Sequence, residues 1–127
     1  MEPTMITSPG APPPGGPYSP GLQFGEWVFL AGQGGRDPET GTLGDTIEEQ
    51  TEQTLNNVST LLEAAGCTLD DVVSCLVHLK DLSHFPSYNA VYGPRFSDPK
   101  PVRTTVGADH RHGMLFEITV TADCCAA

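Results

Sequence analysis

Between Thr46 and Leu79 the apolar pattern changes its period, and that change restricts the fold more than any other feature of the chain. Thr46-Ile47-Glu48-Glu49 has the form of a capping box, in which a Thr hydroxyl and a Glu carboxylate satisfy the free amides that open a helix. Ile47, Leu55, Val58, Leu62 and Ala65 then recur at helical spacing, with Glu48, Glu49, Glu52 and Glu63 facing outward and Gly66 as the C-terminal stop. From Leu69 to Leu79 the residues are nearly all apolar or small, which predicts a strand buried on both faces after a crossover helix. Together these segments predict a βαβ unit.

The flanks supply the remaining elements. Aromatic and β-branched residues predict strands over Tyr18–Leu22 and Glu26–Ala31 with a hairpin turn at Gly25, followed by a loop from Gln33 to Asp45 rich in turn formers. A second helix is expected from about Ser83, with Pro86 in its first turn, Phe85, Tyr88, Asn89, Tyr92 and Phe96 at helical spacing, and Gly93-Pro94 ending or kinking it. Alternation then predicts strands over 102–108 and 114–122 joined by the loop Asp109–Gly113, giving the order β-β-α-β-α-β-β. Residues 1–21 hold seven of the twelve prolines and four of the fourteen glycines, so residues 1–16 read as an extended arm on a single domain spanning 1–127.

Charge excludes several partners. Sixteen acidic side chains against six basic ones leave a formal charge of −10, and Arg36, Lys80, Arg95, Lys100, Arg103 and Arg111 are scattered among acids, which counts against binding nucleic acid. No apolar run approaches a membrane span and no basic-then-apolar leader is present, so a soluble, cytoplasmic protein is expected. Cys67, Cys75, Cys124 and Cys125 lack a CxxC spacing, and neighbouring cysteines bridge poorly, so reduced and inert thiols are expected. Solvated turn residues are the plain reading of His110 and His112, and no metal site is expected; His78 and His84 read as a strand residue and a helix-start residue.

If strands 102–108 and 114–122 form a hairpin, Arg103 and Thr105 share a face with Glu117 and Thr119. An exposed cross-strand ion pair is the plain reading, contributing about 0–1 kcal/mol. Polarity in mid-strand, on a face that would otherwise be apolar, points instead to a lined pocket or a wet interface.

Several segments resemble one family. They are Gly16-Pro17-Tyr18-Ser19-Pro20-Gly21, Val28-Phe29-Leu30-Ala31-Gly32-Gln33, Gln50 with Leu55-Asn56-Asn57-Val58, Leu62-Glu63-Ala64-Ala65-Gly66, Phe85 with Asn89-Ala90-Val91-Tyr92, Pro101-Val102-Arg103-Thr104-Thr105-Val106, and Phe116-Glu117-Ile118. In that order and spacing, from about Ile6 to Ala122, the chain resembles the Rid family of reactive-intermediate deaminases, also called YjgF-like proteins. The resemblance implies an α+β, chorismate-mutase-like fold: a six-stranded mixed sheet with two helices on one face, assembled as a homotrimer with sites between subunits.

It also implies the roles. Arg103 matches the arginine that captures the substrate carboxylate, a task suited to its planar fork of donors, and Glu117 matches the acid that positions the hydrolytic water. Tyr18, Gly32, Asn89 and Thr105 match substrate-binding positions, Thr105 standing where many members carry cysteine. The implied reaction is hydrolysis of 2-imino acids or enamines to 2-oxo acids and ammonia, with neither metal nor organic cofactor. Non-catalytic binding of small carboxylates by a trimer is the competing reading, and ribonuclease activity fits the acidic composition poorly. The chain departs from the family at Asp109–Gly113, at Gly93-Pro94 and at Thr119, and the first departure bears on a pocket wall or a subunit edge.

Overall fold

The computed structural model describes residues 2–124. Six strands, β1 (Thr4–Ile6), β2 (Gly21–Phe24), β3 (Trp27–Leu30), β4 (Val72–Leu79), β5 (Val102–Gly107) and β6 (Phe116–Asp123), form one sheet in the order β1-β2-β3-β6-β4-β5. Two helices, α1 (Ile47–Ala64) and α2 (Phe85–Tyr92), complete the α+β architecture. Among the described residues only β4 and β5 pair in parallel, joined through α2 as an adjacent βαβ unit, whereas β6 separates β3 from β4 and splits the unit built around α1.

α1 begins where its local signals place it. The Thr46 hydroxyl accepts a hydrogen bond from Glu49 N at 3.1 Å and donates one to the Glu49 carboxylate at 3.1 Å, so the carboxylate meets the hydroxyl rather than the Thr46 amide. Gly66 ends the helix region at φ +81°, a conformation costly for a residue with a Cβ. The second helix is preceded by a 3-10 turn over Leu82–His84, and Pro94 lies in another over Gly93–Arg95, where the regular helix has already ended.

Three expectations about strands change. The Pro/Gly-rich arm contains β1, which pairs with β2 through Thr4↔Gln23, Met5↔Leu22 and Ile6↔Gly21 and buries Ile6, so the sheet gains a strand missing from the predicted order. The strand expected at Tyr18–Leu22 starts at Gly21, because Pro17 and Pro20 cannot donate to a ladder. The 102–108/114–122 hairpin does not form: β5 is an edge strand on β4, and β4 stands between it and β6.

Both helices cover the same sheet face. Val28, Leu30, Val77, Leu79, Phe116, Ile118 and Val120 are buried there together with Leu55, Val58, Leu61, Leu62 and Tyr88, each large aliphatic side chain contributing roughly 1.5–3 kcal/mol. Much of the other face is open among the described residues: Phe29 is 46% exposed and Val102 70%, and Trp27, Leu76 and Val106 are also exposed. β4 is therefore buried on one side, contrary to the two-sided burial its composition suggests.

Two buried polar side chains of α1 hold the loop that follows β3. Asn57 Nδ2 donates to Gly34 O and Arg36 O, both at 2.9 Å, while Gln50 donates to Gly44 O at 2.9 Å and accepts from Leu115 N at 2.8 Å. The cysteines also depart from expectation. Cys67, turned back by Gly66, is disulfide-bonded to Cys124 just beyond β6, with Cα atoms 5.6 Å apart; Cys75 is free and buried, and Cys125 lies outside the described residues. A pair separated by 57 residues leaves no spacing signal in the sequence.

Replacing buried Asn57 with Ala leaves two half-buried carbonyls without their donor and is expected to cost about 1–3 kcal/mol. The exposed neighbour Asn56→Ala should stay within about 0.5 kcal/mol. Urea unfolding of both variants measures the difference, and equal stabilities would remove Asn57 from this role.

Candidate active site

Arg103 lies in mid-β5 opposite Cys75, on the face that receives the helices. The helical stripe Phe85, Tyr88, Asn89 and Tyr92 runs over it. The guanidinium carbon is 5.4, 5.0 and 4.7 Å from the ring centres of Phe85, Tyr88 and Tyr92, and Nη1 donates to Asn89 Oδ1 at 2.8 Å. The rings pack edge to face, with Phe85 and Tyr88 at 5.7 Å and Tyr88 and Tyr92 at 5.9 Å, and the Tyr88 and Thr105 hydroxyls share a hydrogen bond of 2.6 Å. Such a slot holds the cation by its face and leaves the fork's remaining N–H groups for a ligand. Among the described residues no carboxylate comes within ion-pair distance of Arg103.

Burial around the slot pushes the Tyr88 and Tyr92 phenols and the Cys75 thiol above their ordinary pKa values, the nearby Arg103 charge acting in the opposite direction. The site therefore pairs a permanent cation with neutral phenols.

A second group of residues lines a cleft of about 500 Å³ on the opposite side of the sheet plane, where the N-terminal Pro/Gly segment meets the ends of β3 and β6. Tyr18, Gly32 and Glu117 all face it. Reciprocal bonds between Gln33 and Ile118, at 2.8 and 3.0 Å, fasten the chain after β3 to β6 and bring Gly32 against Glu117. A Cβ at position 32 would come within 2.8 Å of the Glu117 carboxyl carbon, so glycine leaves the room that carboxylate occupies. Glu117 Oε1 lies 3.4 Å from His78 Nδ1, an ion-pair distance at which the ring nitrogen makes no aligned hydrogen bond. Tyr18 is half exposed, its hydroxyl accepting from Gly15 N at 3.0 Å.

Arg103, Asn89 and Thr105 thus come together, as do Tyr18, Gly32 and Glu117, but the two sets stay apart within one chain. Pairing explains why. Cys75 is opposite Arg103 on one side and Val120 on the other, whereas His78 is opposite Glu117. Odd-numbered β5 residues therefore share a face with even-numbered β6 residues, and the expected same-face placement of Arg103 and Thr105 with Glu117 and Thr119 is overturned.

Sequence reasoning also passed over groups that belong here. His78 is drawn to Glu117 by a strand pairing that no spacing reveals, and His110 Nε2 sits 2.9 Å from His78 O. Arg36, Arg111 and His112 line the cleft with Glu117; the scarcity of cations was the available signal for the two arginines. A wider, shallower depression of about 700 Å³ beside Lys80, His84 and Asp109 gathers none of these groups. Among the described residues, Cys67, Asp71 and Cys124 are the group of possible metal ligands lying together, and their two sulfurs are bonded to each other.

Comparison with known proteins fits this architecture. A family model described as Endoribonuclease L-PSP matches residues 9–124. The chain is similar to a RutC family protein of Saccharolobus solfataricus, 43% identical over 93% of this chain and 95% of the relative. It is also similar to a 2-iminobutanoate/2-iminopropanoate deaminase of Dermatophagoides farinae, 36% identical over 81% of each. The crystal structure of RidA from the Antarctic bacterium Psychrobacter sp. superposes with a TM-score of 0.92, at 36% identity over 94% of this chain and 98% of that one.

The raised phenol and thiol pKa values predict a stability that depends on alkaline pH. In the folded state these groups keep protons that the unfolded chain releases near the ordinary values of 9.0 for Cys75 and 10.0 for the tyrosines. Stability is therefore fully present below those values and declines as pH rises past them toward the folded pKa values. Urea midpoints measured from neutral to alkaline pH should fall above about pH 9, with a shallower fall in Tyr92→Phe. A profile identical in both proteins would contradict this assignment.

Proposed function

The chain belongs to the Endoribonuclease L-PSP family, that of the YjgF- and RidA-like proteins, and on that premise we propose that it hydrolyses 2-imino acids and their enamine tautomers to 2-oxo acids and ammonia. The observation that carries this reading is the Arg103 slot: a guanidinium gripped by three rings and Asn89, with most of its donors uncommitted. A planar fork so prepared suits bidentate capture of a substrate carboxylate. The deaminase name borne by the Dermatophagoides relative is consistent with it.

Because Arg103 and Glu117 occupy opposite faces, the proposed site is completed by a second copy of the chain, whose Arg103 slot meets this copy's Glu117 cleft. The open apolar face carrying Phe29, Leu76, Val102 and Val106 is surface that association of copies would cover, and a closed homotrimer repeats one such contact three times.

In the proposed mechanism Arg103 holds the C1 carboxylate and sets C2 of the imine against the cleft. Glu117, kept in place by His78 and by the space above Gly32, takes a proton from water as the oxygen attacks C2, forming a carbinolamine. That proton goes to the imine nitrogen, which completes the neutral carbinolamine; Glu117 then takes the hydroxyl proton and delivers it to the amine nitrogen as the C–N bond breaks, releasing ammonia and leaving the 2-oxo acid. Atoms balance as one imine plus one water yielding one oxo acid plus one ammonia. Tyr18 and Thr105 shape the walls of the pocket.

Arg103→Ala and Glu117→Gln are each expected to lower kcat/KM about 100-fold or more, measured as clearance of imines made in situ by an amino-acid oxidase. Mixing the two inactive variants and letting subunits exchange should restore about a quarter of the sites, since one interface in four regains both groups. No rescue on mixing argues against the shared site. Wild-type activity in both variants refutes the reading, and tight binding of a 2-oxo acid without turnover would assign a carboxylate binder instead.

A further inference from the structure

Glu117 shares its cleft with two cations that the mechanism above does not use. Arg36, in the loop after β3, directs Nη1 to Gly41 O at 2.9 Å and Nη2 to His112 O at 3.1 Å, which leaves three of its five N–H groups uncommitted. Arg111 lines the same cleft and, among the described residues, forms neither an ion pair nor a side-chain hydrogen bond. The two come from segments about 75 residues apart, a separation of 76 between Arg36 and His112, and the Arg36–His112 bond ties them together.

The turn that presents Arg111 is strained. His112 has φ +59°, a left-handed conformation that costs a residue with a Cβ about 1 kcal/mol or more, and Gly113 follows at φ +79°. The bond from Arg36 to His112 O braces that turn. It lies in the Asp109–Gly113 loop, where this chain departs from the pattern it otherwise resembles.

We propose that Arg36 and Arg111 form a second anion subsite that selects imines bearing a side-chain carboxylate, so that the preferred substrates are four- and five-carbon 2-imino dicarboxylates. The inference rests on the deaminase reading. With the C1 carboxylate on Arg103 of a second copy and C2 beside Glu117, the substrate side chain has to extend along the remaining cleft wall, where these guanidiniums stand. Two planar forks match a carboxylate in geometry as well as charge. A volume of about 500 Å³ accommodates such a molecule. Electrostatics requires local help of this kind: a chain of formal charge −10 repels a dianion, and within the cleft two guanidiniums outnumber the single Glu117 carboxylate.

The test compares kcat/KM for imines generated from aspartate or glutamate with those from alanine or 2-aminobutanoate, using the assembled wild-type protein, Arg111→Ala and Arg36→Gln. Calorimetric binding of 2-oxoglutarate and 2-oxobutanoate runs in parallel. The wild type should favour the dicarboxylate at least about tenfold, and each variant should reduce that ratio about tenfold, more at low salt than at high salt. Arg111 is exposed, so its variant stays informative even if Arg36→Gln loosens the loop. Turnover of both imines at equal efficiency overturns the subsite and leaves the deaminase reading standing. No turnover, but tighter binding of 2-oxoglutarate that weakens in Arg111→Ala, supports the subsite and removes the deaminase reading. Neither turnover nor binding overturns both.

Discussion

The placement of β6 between β3 and β4 decides where every candidate site residue on the sheet lies. Antiparallel pairing of β6 with β4, combined with parallel pairing of β5 on the other side of β4, sets the parity by which Arg103 faces the helices and Glu117 faces away. One residue of slip in either ladder would reverse that arrangement and expose the core side chains of an entire strand, so burial of Val77, Leu79, Ile118 and Val120 protects the register. The hydrophobic core thereby dictates which chemistry each face can carry.

Around that frame, the polar residues of the interior do positional work. Asn57 and Gln50 are buried on α1, and each satisfies backbone groups of the loops packed against the helix. The loop so secured runs from Gly32, where the absence of a side chain admits Glu117, to Arg36 and on to the capped start of α1. The cleft is a by-product of the same contacts that seat the helix, which is why its walls are defined although they are made of loop.

How far the sequence reveals this depends on the range of the interaction. The start of α1 at Thr46, the turn at Gly25 and the end of α2 before Gly93 are set by neighbours within a few residues and are legible directly. β1 is three residues long and surrounded by prolines, and it exists because Ile6 finds a place in the core beside a strand fifteen residues away; no local pattern announces it. Alternation identifies the faces of β5 and β6 separately but is silent on which strand lies between them, so it cannot show that Arg103 and Glu117 lie on opposite faces. His78 meets Glu117 only through the register of β4 on β6, which no local pattern encodes. Tyr18, Gly32 and Asn89 carry no individual signal of their own and are candidates only through the resemblance to a known family.

The bond between Cys67 and Cys124 divides the chain topologically. It closes a covalent ring over β4, α2, β5 and β6, which contains Arg103, Asn89 and Glu117, while β1 to β3 and α1, with Tyr18 and Gly32, form a tail outside it. The unfolded chain is then a lasso rather than a free coil, and closing a ring of 57 residues removes denatured-state entropy equivalent to about 4 kcal/mol. A single proteolytic cut within the ring opens the loop without releasing a fragment, whereas a cut in the tail separates the cleft wall from the carboxylate it encloses.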